Sequence, residues 1–286
     1  MCKKETVSGI EYILPKVFLV GETGIGNSEM GGRTCYGSFE NSENEIIRDL
    51  EEILDRGDVD NLVDDLDSIE ESELLKRLSF VDFHHSVIEH SSVSFLIKGT
   101  SRGALQEIVR HRIASYSVKS TRYTLDTLLY LFIVSYNNKE KFINDALQLD
   151  LFVTSNQDYN KLELEGIFNK LNLQLDIIGY KEFVSLVCPA ATALYLVDNK
   201  DTVKPEELMA KMLEKKKRNA GDKFKHIITD NFKTNLVMTM NLRSLKNFFD
   251  MRLSGAAWFQ IRWLAEEIKN TLPDKYKKLI FKSFQS

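Results

Sequence analysis

Residues 93–112 constrain the fold more than any other stretch. Val93, Phe95 and Ile97 alternate with Ser94 and Leu96, the period of a strand with one buried face. Gly99 is expected to end that strand, and Thr100 or Ser101 to cap a helix over 103–112. A strand that feeds straight into a helix calls for a sheet covered by helices. Other segments supply more of both. Val17-Phe18-Leu19-Val20 reads as a short buried strand, followed by a Gly-, Ser- and Asn-rich stretch over 21–32. Ile46, Leu50, Leu54, then Leu62, Leu66, Leu74 and Leu75 mark two helices within 43–78. Amphipathic pieces lie at 139–151 and 160–175, a solvated helix end at 211–217, and a last helical region at 241–270 with a break near Ser254-Gly255. The expected fold class is α+β: a single domain over 1–286, a mixed or antiparallel sheet packed by long helices, with a helical elaboration at about 125–220.

Charge and cysteine content narrow the function. A net charge of −4 argues against broad nucleic-acid binding, which needs a basic surface, but not against one small phosphorylated ligand. Cys2, Cys35 and Cys188 are too few and too scattered for a disulfide framework or a zinc site, so a cytoplasmic location is the expectation. Cys188, in an apolar run before Pro189, reads as packed core. No stretch has transmembrane length and no secretory leader is visible, so no membrane association is expected.

Three constellations carry chemistry. On a helix over 103–112, Leu105, Ile108 and Val109 form the apolar stripe, and Arg112 falls within it. Arg110 and His111 project on the side of Glu107; either Arg112 is buried and must be paired, or it snorkels from the last turn while Glu107 pairs with Arg110 or His111 at helical spacing. Ser115, Ser117, Ser120 and Thr121 then crowd a loop with Lys119 and Arg122: a phosphate cradle, or an ordinary polar surface loop. The second constellation is His84-His85-Ser86-Val87-Ile88-Glu89-His90. His85 and His90 stand five apart, not the four of a zinc-protease helix, so no metal is expected, and Ser86 with Glu89 matches a capping box. The third runs from Asn241 to Arg252. Leu245, Phe248 and Phe249 make its apolar face with Arg252 in the middle, while Arg243 and Asn247 share the other side. An arginine there either escapes at a bend near Ser254-Gly255 or lines a ligand site, and the ligand site is favoured. No nucleophile–base pair, Walker loop or GxGxxG fingerprint is present.

Together these pieces resemble the flavin-dependent thymidylate synthases. Arg110-His111-Arg112, seven residues, then Ser120-Thr121-Arg122-Tyr123 matches that family's signature. His84, Ser86, Glu89 and His90 match its upstream motif, Asn241 to Arg252 its downstream one, and Arg33-Thr34-Cys35-Tyr36 an early Arg-x-x-aromatic segment. The resemblance implies methylation of dUMP at C5, with methylenetetrahydrofolate as carbon donor, FAD as hydride carrier and NADPH to reload it. It implies that Arg252 stabilises an N3-ionised uracil, and that Ser120, Thr121 and Arg122, with Arg110 nearby, hold the dUMP phosphate. Glu107 stands where a substrate-side Gln is commoner, and Lys225 where a phosphate-binding Arg is. His84, Ser86, Arg110, His111, Arg112, Asn241, Arg243 and Asn247 would hold FAD, with His84 by the flavin ring. A homotetramer with sites shared between subunits is implied as well.

The chain departs from the pattern at Ser117-Val118, where a carboxylate is commoner, and at Trp258-Phe259. The Val118 departure motivates an alternative, a nucleotide- or flavin-binding homologue without catalysis. A metal-dependent hydrolase using His85, Glu89 and His90 is a further, less favoured alternative.

Overall fold

The computed structural model describes residues 3–57, 59–135, 138–199 and 220–284, with the side chains of Tyr123 and Thr124 set aside. The helix end expected at 211–217 and Cys2 lie outside these residues. In chain order the strands are β1 (Lys4–Val7), β2 (Ile10–Ile13), β3 (Lys16–Glu22), β4 (Ser92–Ser101), β5 (Ser115–Val118) and β6 (Lys233–Asn241). The early helices are α1 (Gly26–Tyr36), α2 (Glu45–Arg48), α3 (Leu50–Arg56), α4 (Leu62–Asp67), α5 (Glu73–Phe80) and α6 (Arg102–Ile108). They are followed by α7 (Thr121–Val134), α8 (Lys139–Leu147), α9 (Gln157–Ile178), α10 (Tyr180–Val187) and α11 (Ala190–Asp198). The last are α12 (Leu242–Arg252), α13 (Phe259–Thr271) and α14 (Asp274–Ile280). Helices and antiparallel strands together make the expected α+β class.

The chain divides into two compact units. The first comprises residues 1–14, 101–103 and 119–234 and is mainly helical, with the β1–β2 hairpin beside α7 to α11. Its core is aromatic: Phe132 packs against Phe142, Phe168 and Phe183, and Phe183 against Phe224. Residues 128–133 of α7 are all buried, so this stretch of the helix is covered on every side. Cys188 is buried in the same core, as expected.

The second unit comprises residues 15–100, 104–118 and 235–286 and holds a four-stranded sheet in the order β3-β4-β6-β5. Val93, Phe95 and Ile97 of β4 are fully buried, and on β6 Leu236, Met238 and Met240 face the same core. Ser94 and Thr239 share a hydroxyl hydrogen bond of 2.8 Å on the opposite face. The alternation at 93–97 was therefore a faithful guide to burial.

Several boundaries differ from the sequence reading, for identifiable reasons. The 17–20 segment lies in β3, an edge strand among the described residues, whose Phe18 and Val20 are exposed because they point away from the core that Val17 and Leu19 pack against. The strand β4 does not stop at Gly99 but runs to Ser101, and Gly99 takes a positive φ of 76° with its N–H on Asn235 Oδ1. The glycine-rich 21–32 stretch is largely the helix α1, and glycine serves there for contact: a Cβ on Gly26 would meet the Leu66 carbonyl oxygen at 2.4 Å. The two helices of 43–78 are four short ones, α2 to α5. Finally, α6 ends at Ile108, four residues before Arg112. The break between α12 and α13 falls where Ser254-Gly255 placed it.

Candidate functional site

The early end of α6 reorganises the first constellation. A turn follows Ile108, with the His111 N–H donating to the Ile108 carbonyl at 3.1 Å. Tyr116, from β5, donates its hydroxyl to the carbonyls of Ile108 (2.8 Å) and His111 (2.9 Å). The stripe drawn for a continuous helix therefore does not form beyond Ile108. Val109 and Arg112 are exposed, and His111 is the residue turned inward, 8% exposed, with its ring edge-on to Phe248 at 5.0 Å. The position expected for Arg112 is thus taken by His111.

Arg252, the last residue of α12, does occupy the apolar side of its helix, beside buried Leu245, Phe248 and Phe249. Its side chain is only 12% exposed and is tied at three nitrogens. Nε donates to His111 Nε2 (3.0 Å), Nη1 to Glu107 Oε2 (2.9 Å) and Nη2 to the Glu107 carbonyl (3.1 Å). A guanidinium this far from water costs several kcal/mol unless paired, roughly, and here the pairing is complete in kind: carboxylate, carbonyl and imidazole. Glu107 also accepts from Arg110 Nη1 at 3.0 Å, the helical-spacing pair anticipated from sequence. Burial and the neighbouring Arg252 push the His111 imidazole below its usual pKa, more than Glu107 raises it.

These groups border a cavity of about 610 Å³ in the second unit. Arg110, Arg112, Arg243 and Arg252 line it with Lys246, against the carboxylates of Glu89 and Asp250. His85, His111 and Asn247 are on its wall too. Glu89 accepts from Arg243 Nη1, and Lys246 pairs with Asp250 at 2.8 Å. The chemistry of the wall suits an extended anion: guanidinium forks match phosphate oxygens in pairs.

The upstream histidine motif forms a 3-10 segment over His85–His90, with His84 at its N-terminal boundary. No side chain caps it, so the expected Ser86–Glu89 capping box is absent, and Glu89 reaches Arg243 instead. His84 Nδ1 lies 2.8 Å from the Tyr36 hydroxyl at the end of α1. His85 Nε2 bonds the Ser79 carbonyl at 2.8 Å, and Ser86 is exposed. Asn241 caps α12, its Oδ1 accepting from the Ser244 N–H at 2.8 Å.

The phosphate-cradle segment is not one loop. Ser115 and Ser117 belong to β5, opposite Thr239 and Val237, because pairing with β6 fixes them in a strand. Val118 stands opposite Leu236 in that ladder. Ser120 is the N-cap of α7, its Oγ accepting from the Arg122 N–H (3.3 Å) and Nε (3.2 Å). Within the same unit Arg122 Nε lies 3.7 Å from Asp222 Oδ2, and Lys225 2.7 Å from Asp222 Oδ1, which holds the Asp222 carboxyl below the usual carboxylate range. Gly221 makes this approach possible: a Cβ there would lie 2.9 Å from Arg122 Cα. Ser120, Thr121, Arg122 and Lys225 are thus gathered at the positive end of a 14-residue helix.

The sequence reading singled out most of the cavity's cations but assigned nothing there to Lys246, Asp250 or Tyr116. Lys246 and Asp250 stand at the i,i+4 spacing of an ordinary surface pair, and Tyr116 acts through backbone carbonyls that no side-chain pattern reveals.

The fold and the site define an α+β protein whose second unit holds an arginine-lined cavity around one desolvated guanidinium. A family model for thymidylate synthase complementing protein (Thy1) matches residues 26–276. The chain belongs to that family, whose relatives here are flavin-dependent thymidylate synthases. The enzyme of that name from Helicobacter pylori (strain ATCC 700392 / 26695) is 31% identical over 251 residues, 86% of this chain and 88% of the relative. The one from Campylobacter jejuni (strain RM1221) is 31% identical over 245 residues, 86% of each chain. A crystal structure of thymidylate synthase X from Helicobacter pylori with FAD and dUMP superposes with a TM-score of 0.55 at 25% identity, covering 96% of this chain and 100% of that one. Among the described residues no helix is long and apolar enough to cross a membrane.

Proposed function

We propose that the chain converts dUMP to dTMP by reductive methylation at C5, with methylenetetrahydrofolate as carbon donor, FAD as cofactor and NADPH as electron source. The observation that carries this reading is the seat of Arg252: a guanidinium 12% exposed, on the wall of a cation-lined cavity, in a chain of this family. The donor set fits FAD, whose pyrophosphate asks for paired guanidinium donors. Arg110, His111, Arg112, Arg243 and Asn247 line the cavity and would hold it, with His84 and Ser86 from the 3-10 segment. Asn241, whose Oδ1 is engaged as a helix cap, would contribute its amide N–H groups. Reduced FAD, when bound, supplies the hydride.

The residues of the chain do the rest. Ser120, Thr121, Arg122 and Lys225 would bind the dUMP phosphate, supported by the helix dipole at the start of α7. Arg110 adds a further cation on the substrate side, and Glu107 holds Arg252 in place. Arg252 faces the uracil and stabilises the ring ionised at N3, which makes C5 nucleophilic without a cysteine. A cation in a dry site lowers the pKa of an adjacent acid strongly, so its partial burial is part of the chemistry. We further propose one functional domain elaborated by helices at about 125–220, four copies assembled with shared sites, and action in the cytoplasm. The family match across 26–276, which spans both units, supports the first of these.

Arg252→Ala should lower dTMP formation by about a hundredfold or more while FAD, read by its visible absorbance, stays bound. Loss of FAD in that variant would contradict the role assigned. Ser120→Ala should weaken dUMP binding several-fold, roughly the loss of one hydrogen bond to a charged group, and change kcat less. An unaltered dUMP affinity would remove Ser120 from the phosphate site. Purified protein with no flavin absorbance and no dUMP-dependent NADPH oxidation in added FAD would sink the whole reading.

A further inference from the structure

We propose that His111 is a positioning residue for Arg252: as a neutral imidazole it accepts a hydrogen bond that fixes the plane of the guanidinium, and protonation of this ring releases it. The proposal rests on the assignment of Arg252 to the uracil. A guanidinium has only donors, so His111 Nε2, 3.0 Å from Arg252 Nε, must be the nitrogen without a proton. The ring proton of the neutral form then sits on Nδ1.

The geometry explains why this bond matters. Both terminal nitrogens of Arg252 are held by Glu107, one by its carboxylate and one by its carbonyl. Two anchors on one residue leave the side chain free to pivot. The bond to His111 is the anchor from a second residue, on the third nitrogen. His111 is itself fixed from three elements: its N–H on the Ile108 carbonyl at the end of α6, its carbonyl under the Tyr116 hydroxyl of β5, and its ring against Phe248 of α12.

The charged groups around the ring set its state. Glu107 of α6 favours the protonated form, and Arg252 of α12 opposes it. The same cavity carries Lys246 and Asp250 of α12, which pair with each other, Glu89 paired with Arg243, Arg110 paired with Glu107, and Arg112 and His85. Burial and Arg252 outweigh Glu107 and so favour the neutral ring, the form that the bond from Arg252 Nε requires. Below its lowered pKa it becomes a donor and a cation beside another cation, and the bond is lost.

The test uses the FAD-loaded full chain. His111→Leu removes the acceptor, and His111→Gln restores one near the Nε2 position without a group that titrates. Because His111 also lines the FAD site, the variants are compared at saturating FAD, where we expect His111→Leu to lower kcat about tenfold to a hundredfold with the KM for dUMP within about threefold. His111→Gln should recover most of that loss and lack the acid limb, below the usual histidine range, that the proposal expects of wild type. Equal losses of kcat in both variants at saturating FAD would overturn the proposal. A second readout needs no activity: 15N NMR of histidine-labelled wild type should show His111 as the Nδ1–H tautomer at pH 7. An Nε2–H tautomer would overturn the proposal even in a fully active enzyme. The expected tautomer in a protein that makes no dTMP would uphold the hydrogen-bond geometry and discard the synthase reading instead.

Discussion

Tyr116 gives one proton to two carbonyls, those of Ile108 and His111, and so closes the turn that ends α6. Burial pushes its phenol up to about 12. Tyr116→Phe should cost about 1–2 kcal/mol, read as a lower urea midpoint with an unchanged slope, and an unmoved midpoint would show the bond to be dispensable. The pH dependence has a definite sign. A phenol whose pKa is higher folded than unfolded adds stability below about pH 10, and that contribution fades as pH rises towards about 12. Tyr116→Phe should therefore flatten the alkaline loss of stability over that window. Nothing in the sequence marked this residue, because its partners are main-chain atoms five and eight positions back that meet only if the helix stops early.

At the level of elements, the same early stop explains most of what the sequence misplaced in the site. The residues around 103–112 have an unbroken helical spacing, so the sequence gives no reason to stop at Ile108. With the stop, the inward position passes from Arg112 to His111. The opposite case is α12, where the Leu245/Phe248/Phe249 face and the break at Ser254-Gly255 were both legible, because each is a local signal, while the cap at Asn241 was not read from the sequence. The sheet was half legible. Alternation at 93–97 declared β4, but β5 is four residues long and half of them serines, and its identity comes from pairing with β6. A close approach between elements was not legible at all. The 3-10 segment Ala220–Ile227 meets the start of α7 through Gly221. Gly221→Ala should force the two backbones apart, at about 1–3 kcal/mol of stability, and raise the KM for dUMP more than Ser120→Ala does. A variant with wild-type stability and KM would show that the contact is loose.

At the scale of the molecule, two hydrophobic cores support two units, and composition alone cannot tell two cores from one. Assembly is testable without reference to the site: light scattering should return about four times the 32.9 kDa chain mass, and dilution should cost activity and bound flavin together. A monomer that keeps both would end the shared-site proposal. The wall of the cavity has a further consequence, for rates of encounter. The chain carries a net charge of −4, so at long range it repels a phosphorylated ligand, while four arginines and a lysine gathered against two carboxylates attract one at close range. That local field reaches only about 8 Å in physiological salt. Ligand capture should thus be decided in the last ångströms of approach. Added salt should slow capture and leave turnover at saturation nearly unchanged.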